Sequence, residues 1–279
     1  MQKIDRLGWA DGTSIVAYGL RVGIRANDLG VLDRLVTLLP AGWKPSSSPD
    51  VQQLYSLIVG GDSARPGVRQ FHVLYANEAR VARSLDLDQV LESFESDLRL
   101  FVGERAHRRL FVHAGVVGWR DRAILIPGGS FSGKTTLVRA LCARGATYYS
   151  DEFAALDARG RVHPFPAPLS IRHEGAIQPE KRAPESLGAA IGGKPLPVGL
   201  VAVTYFKGGA RWRPRRLAAG ASVLALLAHT VPARSRPKAA LAALGKVASS
   251  ALVLKGGRGE ADEMAGALLE RLDAASEGR

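Results

Sequence analysis

Apolar and polar positions alternate along several short stretches of this chain, and elsewhere they recur with a helical period. Leu20-Arg21-Val22-Gly23-Ile24-Arg25 has the two-residue period of a half-buried strand. Asn27 and Asp28 can cap a helix over Leu29–Leu39, and Pro40 ends it. Trp43–Pro49 reads as a loop. Strands follow at Leu54–Val59 and Phe71–Tyr75, then a long amphipathic helix over Asp88–Ala106 with Val90, Leu91, Phe94, Leu98, Phe101 and Val102 on one face. These elements make a small N-terminal α/β unit, residues 1–107.

A second unit, 108–279, begins with Leu110–His113 and Val116–Trp119, a strand or a hairpin about Gly115. Ala123-Ile124-Leu125-Ile126 is a continuous apolar strand running into Gly128, and Lys134–Arg144 reads as a helix with Gly145 at its C-terminal cap. Ala146–Ser150 is the next strand. Phe153–Leu156 and Arg161–Phe165 flank the turn residues Asp157-Ala158-Arg159-Gly160. Seven prolines between Pro164 and Pro197 mark a long segment poor in regular structure, which is expected to move over the site as a lid. A second hairpin is expected from Leu200–Phe206 and Arg211–Leu217. Helices at Ala221–His229 and Ala239–Ala248, a strand at Ala251–Leu254 and a helix at Glu260–Leu272 complete the pattern. There is no internal repeat.

Composition narrows this picture. Apolar residues are 46% of 279, enough for a real core. No run approaches the roughly 20 apolar residues that cross a bilayer. Met1–Arg6 has no signal-peptide core behind it. A cytoplasmic protein with no membrane partner is expected. Cys142 is the one cysteine and lies in an apolar helical pattern, where it reads as a small hydrophobe. The net charge of +12 suits anionic partners. It is dispersed, and its densest run, Arg211-Trp212-Arg213-Pro214-Arg215-Arg216, reads as a solvated strand edge, so no nucleic-acid partner is expected.

The chemistry concentrates at Gly128-Gly129-Ser130-Phe131-Ser132-Gly133-Lys134-Thr135, a complete G-x-x-x-x-G-K-[ST] between an apolar strand and an amphipathic helix. Glycines let backbone N–H groups turn toward phosphates without a Cβ in the way. The helix N-terminus adds partial positive charge. Lys134 can reach the β- and γ-phosphates of ATP, and the Thr135 hydroxyl can ligate Mg²⁺. With Thr136, these residues are the expected nucleotide site. The next strand delivers Asp151-Glu152: one carboxylate to ligate Mg²⁺, the other to accept a proton from an attacking hydroxyl. His113 sits between apolar residues upstream and, from sequence alone, fits a core histidine as well as a site residue. No zinc spacing and no nucleophilic triad are present.

Val112-His113-Ala114-Gly115, the glycine-rich loop, Arg144-Gly145-Ala146, Ser150-Asp151-Glu152 and Ser170-Ile171-Arg172 occur in the order that resembles HPr kinase/phosphorylase, a bacterial serine kinase with a phosphoenolpyruvate-carboxykinase-like core. The likeness extends to HPr-kinase-related proteins, some of which phosphorylate lasso-peptide precursors. It covers roughly residues 108–260. It implies a peptide or small-protein serine as acceptor, Asp151 as base or shared metal ligand, Glu152 as metal ligand, His113 as a group orienting Asp151, and Arg172 near the active site. The paired aspartates of the family read Asp-Glu here, and Glu-Ile-Arg-Gly reads Ser170-Ile171-Arg172-His173. A reverse phosphorylase activity and a second metal site are thereby left open, as are the acceptor and a homo-oligomeric state. The expected fold is α/β: a phosphoenolpyruvate-carboxykinase-like P-loop core with a smaller N-terminal α/β unit. The expected catalytic residues are Asp151, His113, Lys134 and Arg172; Thr135, Asp151 and Glu152 are the expected metal ligands. The same core would serve a small-molecule kinase or a non-catalytic ATP-binding module.

Overall fold

The computed structural model describes residues 5, 7–61, 70–129, 132–171 and 180–277. The chain is mixed α/β and divides into two compact units, Met1–His107 and Arg108–Arg279. Among the described residues, no helix is long and apolar enough to cross a membrane.

The N-terminal unit contains β1 (Asp11–Ala17), β2 (Leu20–Ala26), α1 (Leu29–Thr37), β3 (Lys44–Pro45), β4 (Gln53–Ile58), β5 (His72–Ala76), β6 (Ala79–Ser84) and α2 (Leu87–Arg105). Its six strands form one sheet in the order β3-β1-β2-β4-β5-β6. Only β2 and β4 pair in parallel, with α1 in the connection between them. Asp28 caps α1 by accepting from the Val31 amide at 3.0 Å. Asn27 does something else: its side chain both donates to and accepts from the backbone of Val59. The α2 face bearing Val90, Leu91, Phe94, Leu98 and Val102 is buried. Each such side chain contributes about 1.5–3 kcal/mol on leaving water.

Strands β1 and β6 were not expected. β1 joins β2 through Tyr18-Gly19, both with positive φ (51° and 84°), a tight turn lacking the Asn-Gly or Asp-Gly signal. Only Ile15 and Ala17 of β1 are buried. β6 is an edge strand with no buried residue, so alternation along it carries little information.

The C-terminal unit contains β7 (Leu110–Trp119), β8 (Arg122–Pro127), α3 (Lys134–Ala143), β9 (Thr147–Ser150), β10 (Phe153–Leu156), β11 (Arg161–His163), β12 (Leu169–Ile171), β13 (Glu180–Arg182), β14 (Leu196–Phe206), β15 (Arg215–Arg216), α4 (Ala219–Leu227), α5 (Pro237–Ser250), β16 (Leu252–Arg258) and α6 (Ala261–Glu277). The main sheet runs β11-β10-β7-β8-β14-β16-β15, with β9 also on β7 and β11 closing back onto β14. β14 is parallel to both β8 and β16. One face of the sheet packs Ile124, Ile126, Leu200 and Leu254 against α3 and α6; the other packs Val116, Leu125, Val201 and Val253 against α4 and α5. Burial on both faces is why β8 reads as an unbroken apolar run.

Two expectations are corrected here. Arg211–Leu217 does not form a hairpin with Leu200–Phe206: only Arg215 and Arg216 are strand, and they pair with β16. The reach of β14 is taken by parallel pairing with β16, leaving the basic run at the outer edge. There Trp212 turns into the α3/α6 core while the four arginines of the run are exposed. The proline-rich segment is also more ordered than its composition suggests. β12 pairs with β13, a 3₁₀ turn spans Pro184–Leu187, and Ile191 bridges to Tyr148. The central part of the expected lid, 172–179, lies outside the described residues. Gly115 sits inside one continuous ten-residue strand and makes no hairpin turn.

Candidate active site

Two features of β7 build the site. A Cβ on Gly115 would sit 2.6 Å from Val138 Cγ2, so a glycine there lets α3 lie directly on the strand. Along its free edge β7 pairs first with β9 (Val116 with Ser150) and then with β10 (His113 with Phe153). Asp151 and Glu152 fill the break between them. The turn is held by Ser150, whose buried Oγ accepts from the Glu152 and Phe153 amides at 3.1 and 3.0 Å. Consecutive strand residues point to opposite faces. Ending the strand at Ser150 is what frees both carboxylates from that alternation.

On the other edge of β7, β8 leads into the glycine-rich loop. The Gly128 amide donates to the His113 carbonyl at 3.1 Å, which ties the loop to β7. Gly133 caps α3 with a φ of 78°, a left-handed conformation that costs little only without a side chain. A Cβ on Gly128 would meet Ser132 Oγ at 2.5 Å. Lys134 begins α3 and is only 8% exposed. Its ammonium donates to the Gly129 carbonyl at 2.7 Å, across the mouth of the loop. Ser132 Oγ is buried and has no partner among the described residues. Ser130 and Phe131 lie outside the described residues, as does Arg172. Thr136 is exposed and lines a cavity of about 300 Å³ with Arg139, Cys142, Tyr148 and Leu169.

The loop and the carboxylates meet. Thr135 Oγ1 donates to Asp151 Oδ2 at 3.1 Å. The Tyr148 hydroxyl lies 2.7 Å from the Ala167 carbonyl and 3.2 Å from Asp151 Oδ1. Burial raises the Asp151 pKa; hydrogen bonds from Thr135, Tyr148 and the Ser170 backbone, with the charge of Lys134, oppose that rise. Burial lowers the Lys134 pKa, and Asp151 and Glu152 both act to raise it, so both carboxylates are felt at the ammonium. Burial, Lys134 and His229 together lower His113 to about 4, leaving it a neutral imidazole. Its ring packs on Phe153 at 4.9 Å, and its Nδ1 is buried without a partner among the described residues. The described hydrogen bonds that orient Asp151 come from Thr135, Tyr148 and the Ser170 backbone, not from the His113 ring.

Three contributors were not visible as site residues in the sequence. Ser150 and Tyr148 read as ordinary strand positions, although Tyr148 lies three residues before Asp151. Arg258, at the end of β16, is 3% exposed and donates to the loop carbonyls of Gly133 at 3.1 Å and Ser132 at 3.5 Å. Nothing in its local sequence announces that contact. Cys142 behaves as a hydrophobe: half-buried against the α3/α6 core, its thiol is pushed up to about 11 by burial.

The residues fit a magnesium-bound triphosphate. Glycines stand where a Cβ would fill the cradle, a buried serine hydroxyl in the loop has no partner among the described residues, and the buried Lys134 ammonium feels the charge of Asp151, which pairs with the Thr135 hydroxyl. Among the described residues no three His, Cys, Asp or Glu side chains gather into a metal cage. Mg²⁺ does not require one, because it is usually held by one or two carboxylates plus phosphates and water.

No family model and no curated protein matches the chain. Among solved structures, the chain is similar to the Hpr(Ser) kinase/phosphatase from Coxiella burnetii, at 15% identity over 61% of this chain and 99% of that one, with a TM-score of 0.35.

Proposed function

We propose that the chain is an ATP- and Mg²⁺-dependent kinase with a phosphoenolpyruvate-carboxykinase-like P-loop core, transferring the γ-phosphate to a serine hydroxyl of a peptide or small protein. One observation carries the reading: the Thr135 hydroxyl, at the first turn of the loop helix, meets the buried Asp151 carboxylate at 3.1 Å. P-loop NTPases hold Mg²⁺ between the loop Ser/Thr and an Asp, so the pair fits use of MgATP. The second carboxylate, Glu152, follows directly and leaves one of the two free to act on an attacking hydroxyl.

In this reading the loop amides and Lys134 hold the phosphates, and Thr135, Asp151 and Glu152 hold the metal. When bound, Mg²⁺ neutralises charge on the β- and γ-phosphate oxygens. Asp151 accepts the proton of the serine hydroxyl. Hydrogen bonds from Thr135 and Tyr148 hold that carboxylate in place at the first turn of the loop helix. Neutral His113 packs beside Phe153 and adds no positive charge near that base. The exposed arginines along 211–216 lack the outward aromatics that stack bases, because Trp212 faces inward, and this favours anionic peptide or phosphate over nucleic acid.

The test is calorimetric titration with MgATP of wild-type protein and Lys134→Ala, followed by intact-mass analysis of serine-containing peptides after incubation with each. Wild type is expected to bind ATP, with affinity falling about tenfold or more in the variant as one charge-assisted contact is lost. Unchanged affinity would overturn the site. Binding without phosphate gain on any serine peptide, but with gain on a small hydroxyl compound, would move the acceptor to the small-molecule class.

A further inference from the structure

We infer that Arg258 is a positioning residue for the phosphate loop; the inference rests on reading that loop as a triphosphate site. A guanidinium cannot shed its charge, so burying it demands partners. Arg258 is 3% exposed; among the described residues no carboxylate hydrogen-bonds to it, and Glu260 acts on it through its charge alone. Its Nη groups donate to three carbonyls, those of Gly259, Gly133 and Ser132. Its Nε has no partner among the described residues. Folding alone would be served better by an apolar side chain here or by an arginine paired to an acid.

The placement accounts for that cost. β16 is parallel to β14, and Phe206 aligns with Arg258 at the ends of the two strands. The Phe206 ring covers the guanidinium at 5.4 Å, and the Arg258 carbonyl accepts from the Lys207 amide at 2.9 Å, so the side chain has a fixed base. From there the guanidinium reaches the outward carbonyls of the loop, on peptides whose N–H groups belong to the phosphate-facing run. A Cβ on Gly133 would collide with Arg258 Nη2, so the glycine that its own φ favours also leaves room for the guanidinium to lie against the loop. Gripping carbonyls of Ser132 and Gly133 orients the loop peptides and adds a positive charge behind the amides that face the phosphates. Arg258 thus acts through the loop and needs no contact with the nucleotide.

The experiment titrates wild type, Arg258→Lys, Arg258→Met and Lys134→Ala with MgATP and with tripolyphosphate, which has no base or sugar. Thermal unfolding and amide hydrogen exchange are recorded for each. The expected result is a loss of about tenfold in Arg258→Met, equal for both ligands, because hydrogen bonds to a charged group are at stake. Arg258→Lys should keep part of the affinity, having the charge without the fork. Exchange at the Ser132 to Lys134 amides should quicken in both variants. If Arg258→Met does not fold, Arg258→Lys carries the test. A folded Arg258 variant with wild-type tripolyphosphate affinity and unchanged loop exchange overturns the inference and leaves the loop reading intact. So does a loss confined to ATP. Wild type binding neither ligand, or a Lys134→Ala affinity equal to wild type, overturns the loop reading itself and the inference with it.

Discussion

In the N-terminal unit, buried polar side chains find one another. Ser56, fully buried, accepts from Arg25 Nε at 2.8 Å; Glu95 pairs with Arg99; the Tyr55 hydroxyl donates to Asp97 at 2.6 Å. Trp9 Nε1 is the exception among its described residues. Among the described residues of the C-terminal unit, the buried charged ones are Lys134, Asp151 and Arg258, all gathered at one end of the sheet around the glycine-rich loop. Among the described residues, the unpaired buried atoms Ser132 Oγ, His113 Nδ1 and Arg258 Nε lie on the loop or on residues bonded to it, while Trp212 Nε1 belongs to a side chain packed into the α3/α6 core. Both units are sheets covered by helices, so fold class does not explain the difference. Polar groups that serve only stability are satisfied internally, while groups left short of partners mark where a ligand would complete them.

The sharpest way to break the comparison is Asp151→Asn. It should lower kcat about 10²–10⁴-fold through loss of the base while leaving ATP affinity nearly unchanged. Steady-state transfer at the wild-type rate would show that the acceptor hydroxyl is activated elsewhere. Glu152→Gln, measured alongside, should instead raise the Mg²⁺ concentration needed for half-maximal rate.

Phe94→Ala tests the other side. Phe94 is fully buried and meets Tyr55 edge-on at 5.0 Å. Its loss should cost about 3–5 kcal/mol of stability in denaturant titration. At a temperature below unfolding, ATP affinity should be unchanged; a parallel loss of affinity would mean that the N-terminal unit also carries ligand chemistry.

Tyr148→Phe removes a hydroxyl shared by a structural acceptor, Ala167, and a site residue, Asp151. A cost of about 0.5–1.5 kcal/mol is expected, with a fall in kcat under tenfold. A much larger fall in kcat would make Tyr148 part of the proton path.

The last effect is that of pH. His113 titrates at about 4 in the folded chain against an ordinary 6.5. Between those values the unfolded chain binds a proton that folded His113 refuses, so stability should fall as pH drops from about 6.5 to 4. Asp151, raised by burial, acts with the opposite sign, since its folded form takes up the proton first. The difference between wild type and His113→Gln isolates the histidine. Equal slopes of stability against pH in the two proteins would contradict the burial of a neutral imidazole.

Much of this was legible in the chain itself. The loop, its strand and its helix follow from glycine spacing and from the change of hydrophobic period at Gly128, both local properties. Asp151 and Glu152 could be placed near the loop because one helix and one short strand separate them from it. The α2 face and the Asp28 cap are equally local, set by i, i+3, i+4 spacing and by a side chain reaching its own helix. What the sequence could not decide is pairing between distant segments. Arg215-Arg216 joins β16 and not β14, β9 and β10 share one edge of β7, and Arg258 reaches a loop 125 residues earlier. Each of these depends on which edges and buried faces remain open after the rest of the sheet has formed, and that competition is settled only by the packed whole.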